Sequence, residues 1–296
     1  MRATAVACLL AGFSSGACAD LIGVATSQDY VWSFYRISTD DASSELITQV
    51  QHVLDIESLT FGPDGTYYMI TVCAIYRIDP FTGETEYLHR TTDFPSVGGQ
   101  CMRDDGVLFS MINRYGSAYF QGWDIYEDEY ADSVGTKPAL LATAAQVRSD
   151  GALVAMTYND PTLYEVDWQT SQVTPIASFG DDVTGVSDFA TDPASGAEYA
   201  IMRDASNVWA LWRVDLFTAE RSLVGVLPDQ RTRAIAGMQR CVADFNADGV
   251  LTILDFVAMQ IAWQAGDDAA DVNGDGGFDV LDFVAYQQLF VKGCRS

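Results

Sequence analysis

Phe61-Gly62-Pro63-Asp64-Gly65-Thr66-Tyr67-Tyr68-Met69-Ile70, followed by Tyr76-Arg77-Ile78-Asp79 and Phe81-Thr82-Gly83-Glu84-Thr85-Glu86-Tyr87-Leu88, sets a pattern that recurs along the chain. Asp-Gly ahead of an apolar run is a strong hairpin signal, because Gly supplies the positive φ that the turn needs. The turn returns as Asp105-Gly106, Asp150-Gly151 and, in longer form, Asp192-Pro193-Ala194-Ser195-Gly196, with glycines 41, 45 and 45 residues apart. A second thread follows each: Tyr35-Arg36-Ile37-Ser38, Tyr76-Arg77-Ile78-Asp79, Tyr164-Glu165-Val166-Asp167 and Trp212-Arg213-Val214-Asp215, with Trp123-Asp124-Ile125-Tyr126 aligned in the gap. Aromatic–polar–apolar–polar alternation marks a half-buried strand. Each unit therefore reads as four short strands in about 43 residues, one propeller blade. A β-sandwich is the competing reading for short strands, but it gives no such repeat.

First strands are expected at 58–61, 99–102, 144–147, 187–190 and 234–238. The segment Leu21–Val50 holds three strands and lacks a first one. Strand 234–238 can supply it, so the fold is read as mainly β, a five-bladed propeller whose ring closes through a blade shared by both ends of the repeat region. Sharing removes an exposed sheet edge. Tyr35, Tyr76, Trp123, Tyr164 and Trp212 are read as packing between blades.

The last 56 residues carry a different repeat, of 27 residues. Asp244, Asn246, Asp248, Thr252 and Asp255 recur as Asp271, Asn273, Asp275, Asp279 and Asp282, with Gly249 and Gly276 at loop position 6. A hard cation takes six to eight oxygens, and ligands at positions 1, 3, 5, 7, 9 and 12 wrap the chain around one ion. The carbonyls of Val250 and Gly277 would supply position 7, so two Ca²⁺ ions are expected. Phe256-Val257-Ala258 recurs as Phe283-Val284-Ala285, so each loop feeds an apolar helix.

This pattern resembles a type I dockerin, two loop–helix half EF-hands with Asp at position 12. Cys241 before the first loop and Gly293-Cys294 after the second helix resemble the GC-type form found at the C-termini of secreted bacterial proteins. The resemblance covers residues 241–294 and implies calcium binding and a cohesin-like or cell-surface protein partner. One departure stands out. Where dockerins often carry hydroxyl residues that meet cohesin, at positions 10 and 11, this chain has Ile253-Leu254 and Val280-Leu281.

Met1-Arg2, an apolar run from Ala3 to Phe13 and Ala17-Cys18-Ala19 describe a secretory signal peptide over residues 1–19, with a lipobox at Ser15-Gly16-Ala17-Cys18 as the weaker alternative. The domains are then a propeller at 20–240 and a dockerin-like module at 241–296, in a secreted, extracellular or cell-surface protein. Four cysteines remain after cleavage, an even number that suggests disulfides in an exported chain. Cys241–Cys294 would clasp the ends of the module, which leaves Cys73–Cys101; buried free thiols are the alternative for that second pair.

Acidic residues outnumber Lys plus Arg by 41 to 16, for a net charge of −25. Such a surface repels nucleic acid. No stretch reaches the length of a membrane helix. No nucleophile elbow, phosphate loop or dinucleotide fingerprint occurs, and the two histidines, His52 and His89, fall in separate blades and read as surface residues. The acidic run Asp124, Glu127, Asp128, Glu129, Asp132 reads as a solvated edge or a weak calcium patch. The candidate surface for a carbohydrate or peptide ligand is the set of loops joining second and third strands, at Asn113, Arg114, Tyr115, Tyr119, Phe120, Tyr158, Asn159, Asp160, Arg203 and Asp204, with ordinary turn composition as the competing reading. The function expected is an exported calcium-binding protein with a propeller binding module. The alternatives are a dockerin-bearing glycoside hydrolase or lyase, whose catalytic residues the sequence does not reveal, and a structural calcium protein whose module only stabilises the chain end.

Overall fold

The computed structural model describes residues 20–27, 29, 31–51, 56–71, 74–90, 97–114, 117–135, 140, 142–157, 160–167, 170, 172–193, 195–238, 243–246 and 251–292. The expected signal peptide, Cys73, Cys241, Cys294, Asp248 and Val250 lie outside these residues.

Twenty strands form five four-stranded antiparallel sheets. The first sheet runs outward from β20 (Thr232–Gly237) through β1 (Asp20–Thr26) and β2 (Val31–Ser38) to β3 (Ser44–Gln51). The second holds β4 (Ile56–Phe61), β5 (Tyr67–Thr71), β6 (Ala74–Ile78) and β7 (Thr85–Arg90). The third holds β8 (Val97–Met102), β9 (Val107–Arg114), β10 (Ser117–Asp124) and β11 (Glu129–Gly135). The fourth holds β12 (Ala142–Val147), β13 (Leu153–Thr157), β14 (Asp160–Val166) and β15 (Val173–Ser178). The fifth holds β16 (Val183–Thr191), β17 (Glu198–Asp204), β18 (Trp209–Val214) and β19 (Arg221–Val226). The chain is thus mainly β, a five-bladed propeller. Its ring closes as the repeat count expects: β20 pairs with β1, Leu21 opposite Gly237 and Val24 opposite Ala234.

The Asp-Gly turns owe their shape to two residues each. Gly65, Gly106, Gly151 and Gly196 all sit at positive φ, 79°, 88°, 86° and 69°. Asp64, Asp105 and Asp150 accept the backbone N–H two residues on, from Thr66, Val107 and Ala152. That is the Asx turn that makes Asp a good partner for the glycine. At the outer hairpins Asp79, Asp124, Asp167 and Asp215 cap turns in the same way.

Asp124 therefore matches Asp79, and this corrects the aligned thread in the third blade by two residues. Trp123 pairs with Leu108 as Ile78 pairs with Tyr67, so Trp123 stands where Ile78 stands. A slip of two keeps a strand residue on the same face, so Trp123 still packs between blades. It is buried with Tyr68, Ile70 and Ile75 of the second blade.

Five apolar clusters fill the five seams between neighbouring blades. Second strands pack on both faces, as in Tyr67–Thr71, where every residue is buried, so they read as continuous apolar runs. The innermost strands touch around the axis, β20 to β4, β4 to β8, β8 to β12, β12 to β16 and β16 back to β20. Gly237 makes one close approach: a Cβ there would lie 2.1 Å from the Thr191 carbonyl oxygen.

Beyond the ring, α1 (Ile253–Ala265) and α2 (Val280–Lys292) form a separate small core with a 3₁₀ turn at Asp268–Ala270. Met259 and Tyr286, equivalent at offset 27, are both fully buried in it, as are Ala243 and Ala270. The Tyr286 hydroxyl donates to the Ala243 carbonyl at 2.9 Å, and burial pushes its pKa up to about 12. Gly266, in the left-handed conformation with φ 68°, ends α1.

Candidate functional site: the central cavity and the paired Asp loops

A cavity of about 460 Å³ opens at the axis and draws lining from all five blades. Leu59, Phe61, Met102, Val147, Phe189 and Ala236 give it apolar walls. Arg103, Asp104, Gln146, Arg148, Thr191 and Glu198 give it polar groups. It lies on the face of the Asp-Gly turns. The ligand surface expected from sequence was the other face, where second and third strands join. There Tyr115, Tyr158 and Asn159 lie outside the described residues, and Asn113, Arg114 and Tyr119 contribute backbone pairing on β9 and β10. Phe120 is fully buried in the seam between the third and fourth blades. The Arg203 guanidinium packs over the Trp209 ring and donates to the Thr184 carbonyl. Asp160 accepts from the Tyr164 hydroxyl at 2.5 Å, and Asp204 caps its own turn. These groups hold the blade ends together. The cavity forms instead where first strands end, because five strand termini converge there.

The charges lining the cavity differ in their engagement. Arg103 makes a two-pronged contact with Asp105. Arg148, buried, donates two bonds to Asp150 (2.9 and 2.8 Å), one to Glu165 (2.9 Å) and one to the Leu216 carbonyl, with Phe217 under its guanidinium. The hydrogen bonds to Asp150 raise the Arg148 pKa above its ordinary value. Glu198 uses one oxygen to accept the Leu216 N–H at 3.2 Å. Burial raises its pKa above the ordinary carboxylate value.

Below the cavity, Asp188 on β16 is wholly buried. Its carboxylate accepts from the Ser58 hydroxyl (3.0 Å), Leu59 N (3.3 Å), Ile235 N (3.1 Å) and Phe189 N (3.1 Å). One side chain thus joins β4, β16 and β20. Inner strands expose an unpaired edge to the axis, and these donors are edge groups with no neighbouring strand to receive them. Burial pushes the Asp188 pKa well up, against the pull of its four donors.

In the C-terminal core, the second loop is described throughout and the first in part. Asp255 and Asp282 are both fully buried. Asp255 accepts Asn246 N and Thr252 N at 3.2 and 2.7 Å; Asp282 accepts Asn273 N and Asp279 N at 3.3 and 2.9 Å. Thr252 and Asp279 cap the two helices through Leu254 N and Leu281 N. Asp271 accepts Asp275 N and Gly276 N, and Gly276 sits at φ 82°. Asp244 belongs to the described part of the first loop, and Gly277 N donates to Asp275. Among the described residues no three acidic, His or Cys side chains converge closely enough to hold a metal. Above these loops, Ile253, Leu254 and Val257 stand exposed, matched at offset 27 by Val280, Leu281 and Val284.

Two other expectations change. Cys101 is a free, fully buried thiol in the structure rather than half of a Cys73–Cys101 bridge; its strand turns it into the seam with Phe109 and Met111. The Cys241–Cys294 pair lies outside the described residues. His89 is no ordinary surface residue. It stacks on Trp123 at 4.0 Å and 13°, and its Nε2 shares a hydrogen bond with the Tyr130 hydroxyl. No helix among the described residues is long and apolar enough to cross a membrane.

No family profile matches the chain, and no curated protein matches it. Among solved structures it is similar to a chain of a nidogen/laminin complex, with 13% identity, a TM-score of 0.51, and 74% of this chain and 82% of that chain covered. It is also similar to TolB from Acinetobacter baumannii, with 16% identity, a TM-score of 0.47, and 69% of this chain covered. It spans about half of that TolB chain, 52%. Virginiamycin B lyase from Staphylococcus aureus gives 12% identity, a TM-score of 0.41, and 68% of each chain covered. At these identities the likeness concerns the fold alone, and the class it defines is the β-propeller.

Proposed function

We propose that this is an exported two-part binding protein. The propeller holds a ligand in its central cavity, and the dockerin-like C-terminal module, loaded with two Ca²⁺ ions, docks on a protein partner. The observation that carries this is the repetition at offset 27, in which equivalent buried aspartates, Asp255 and Asp282, organise equivalent loops beneath equivalent apolar residues. Asp244, Asn246, Asp248, Val250, Thr252 and Asp255 would hold one ion, and Asp271, Asn273, Asp275, Gly277, Asp279 and Asp282 the other. The donor set is all oxygen, and Gly276 has the turn conformation that position 6 needs. The ion neutralises clustered carboxylates, which fixes the helix starts and with them the apolar face. That face is larger in aliphatic character than a hydroxyl-bearing dockerin surface, so the partner should present an apolar patch rather than a ring of polar acceptors. The solved nidogen/laminin complex is one in which two proteins associate, and a propeller binding module fits the same general use.

Screening the full chain, with and without calcium, against peptide and glycan panels and glycoside substrates tests this. Binding without turnover is expected. Turnover of a glycoside would move the reading to the carbohydrate-active alternative, and failure to bind calcium would remove the docking module from it.

A further inference from the structure

The cavity does not treat its charges evenly. Both guanidiniums that line it are already matched by carboxylates that do not line it: Arg103 by Asp105, and Arg148 by Asp150 and Glu165. The carboxylates that do line it, Asp104 and Glu198, form no ion pair among the described residues. With those partners counted, the charge around the cavity is net negative: Arg148 faces two carboxylates, and Asp104 and Glu198 add two more next to the apolar surfaces of Leu59, Phe61, Val147 and Phe189.

Glu198 is also out of pattern. It is the first residue of a second strand and pairs with the last apolar residue of the third, Val214. In the other blades that position is Leu21 opposite Ile37, Tyr67 opposite Ile78, Leu108 opposite Trp123 and Leu153 opposite Val166. All four are buried and none is charged. A carboxylate where the repeat places a core residue costs desolvation, and its raised pKa reflects that. Rules of the repeat are broken where function requires it. Capping Leu216 N occupies only one of its oxygens.

We propose that the central cavity selects a cationic group on an apolar stem, an alkylammonium or guanidinium, with Glu198 as its anchor and Asp104 at the entrance. This rests on reading the cavity as the propeller's ligand site. The apolar walls take the stem, and the cation supplies the partner that Glu198 lacks. A volume of this size admits a single side chain or small molecule. The chemistry is shared by a lysine or arginine side chain on a peptide and by a free polyamine.

Calorimetry on the full chain saturated with calcium, so that the module's carboxylates are occupied, decides it. The probes are N-acetyl-lysine methylamide and agmatine, with the norleucine and glutamate methylamides as neutral and anionic analogues. Cationic probes should bind, the neutral one about tenfold more weakly, the anionic one least. A preference for agmatine would identify the source as a free polyamine, and a preference for the lysine amide a peptide. Glu198→Gln keeps an oxygen for Leu216 N, so the fold should persist by circular dichroism while cation affinity falls about tenfold. Asp104→Asn, at an exposed site, should weaken it less. Equal affinity for the norleucine and lysine amides, or no effect of Glu198→Gln, overturns the inference while the cavity stays a ligand site. If no probe binds and the peptide and glycan panels are silent as well, the reading of the cavity falls with it.

Discussion

Asp188 shows how much a single residue can set in a closed ring. Its carboxylate receives groups from two other blades, including Ile235 N on the closing strand. Asp188→Ala would strand those donors in the interior. At roughly 1–3 kcal/mol for each unsatisfied group, we expect a loss of about 3 kcal/mol or more, read as a lowered urea midpoint of tryptophan fluorescence. The folded pKa lies above the unfolded one. The native state therefore holds the proton more tightly, and the associated stability is full in acid and declines as pH rises from about 4 through the folded value. The stability gap between wild type and Asp188→Asn should shift against the wild type over that range. A flat difference would mean that the donors, not burial, govern the group. At the proposed calcium loops the count of carboxylates would decide strength. The second loop has Asp271, Asp275, Asp279 and Asp282; the first has Asp244, Asp248 and Asp255 with Thr252. More ligand charge usually tightens a site. Calorimetry should therefore resolve two ions with the second loop the tighter, and Asp282→Ala should abolish that stronger phase. A single phase, or a stronger first loop, counts against the assignment.

Among the elements, β7 illustrates what the sequence conveys and what it withholds. The hairpins were legible because Asp-Gly and the capping aspartates act within a few residues, and the order of strands followed from their repetition. The seams were not, since they join residues about 40 positions apart. His89 on β7 meets Trp123 and Tyr130 across such a seam, and a lone histidine in an edge strand carries no sign of it. The same limit hid the shared role of Asp188, the convergence of strand ends that forms the cavity, and the odd placement of Glu198, which is visible only once the blades are aligned by their true register. Burial lowers the His89 pKa. Burial disfavours the charged ring, so the contribution of the neutral ring is intact above the unfolded value of 6.5 and is lost as pH falls through that value toward the folded one. Between about pH 8 and about pH 5, the wild type should lose more stability than His89→Phe, which keeps the stack without titrating. Parallel pH profiles for the two would remove His89 from the seam's energetics.

For the molecule as a whole, the question is how ring and module depend on each other. β20 closes the ring, and the last described propeller residue, Met238, packs into the seam between the first two blades. The module's own core begins at Ala243. Only residues 239–242 stand between them, so closure and the module adjoin in sequence while resting on separate cores. A chain cut after Arg240 keeps β20 and should melt as the ring does in the full protein. A chain cut after Pro228 loses Ala234, Ile235, Ala236 and Met238 from two seams, leaves β1 unpaired along its inner edge, and deprives Asp188 of Ile235 N. An exposed apolar edge invites aggregation, so the 20–228 fragment should precipitate or melt at least about 10 °C below 20–240. On the proposed calcium loading, chelation would act on the other core. Without an ion the clustered carboxylates repel, so helical signal from α1 and α2 should fall in the full chain while the β signal and the upper transition stay in place. Comparing 20–240, 20–228 and the longer chain by circular dichroism, each with and without chelator, separates the two effects. If 20–228 melts like 20–240, β20 is not what holds the ring closed. If chelator lowers the melting of 20–240, which lacks the loops, calcium is acting at a site within the propeller.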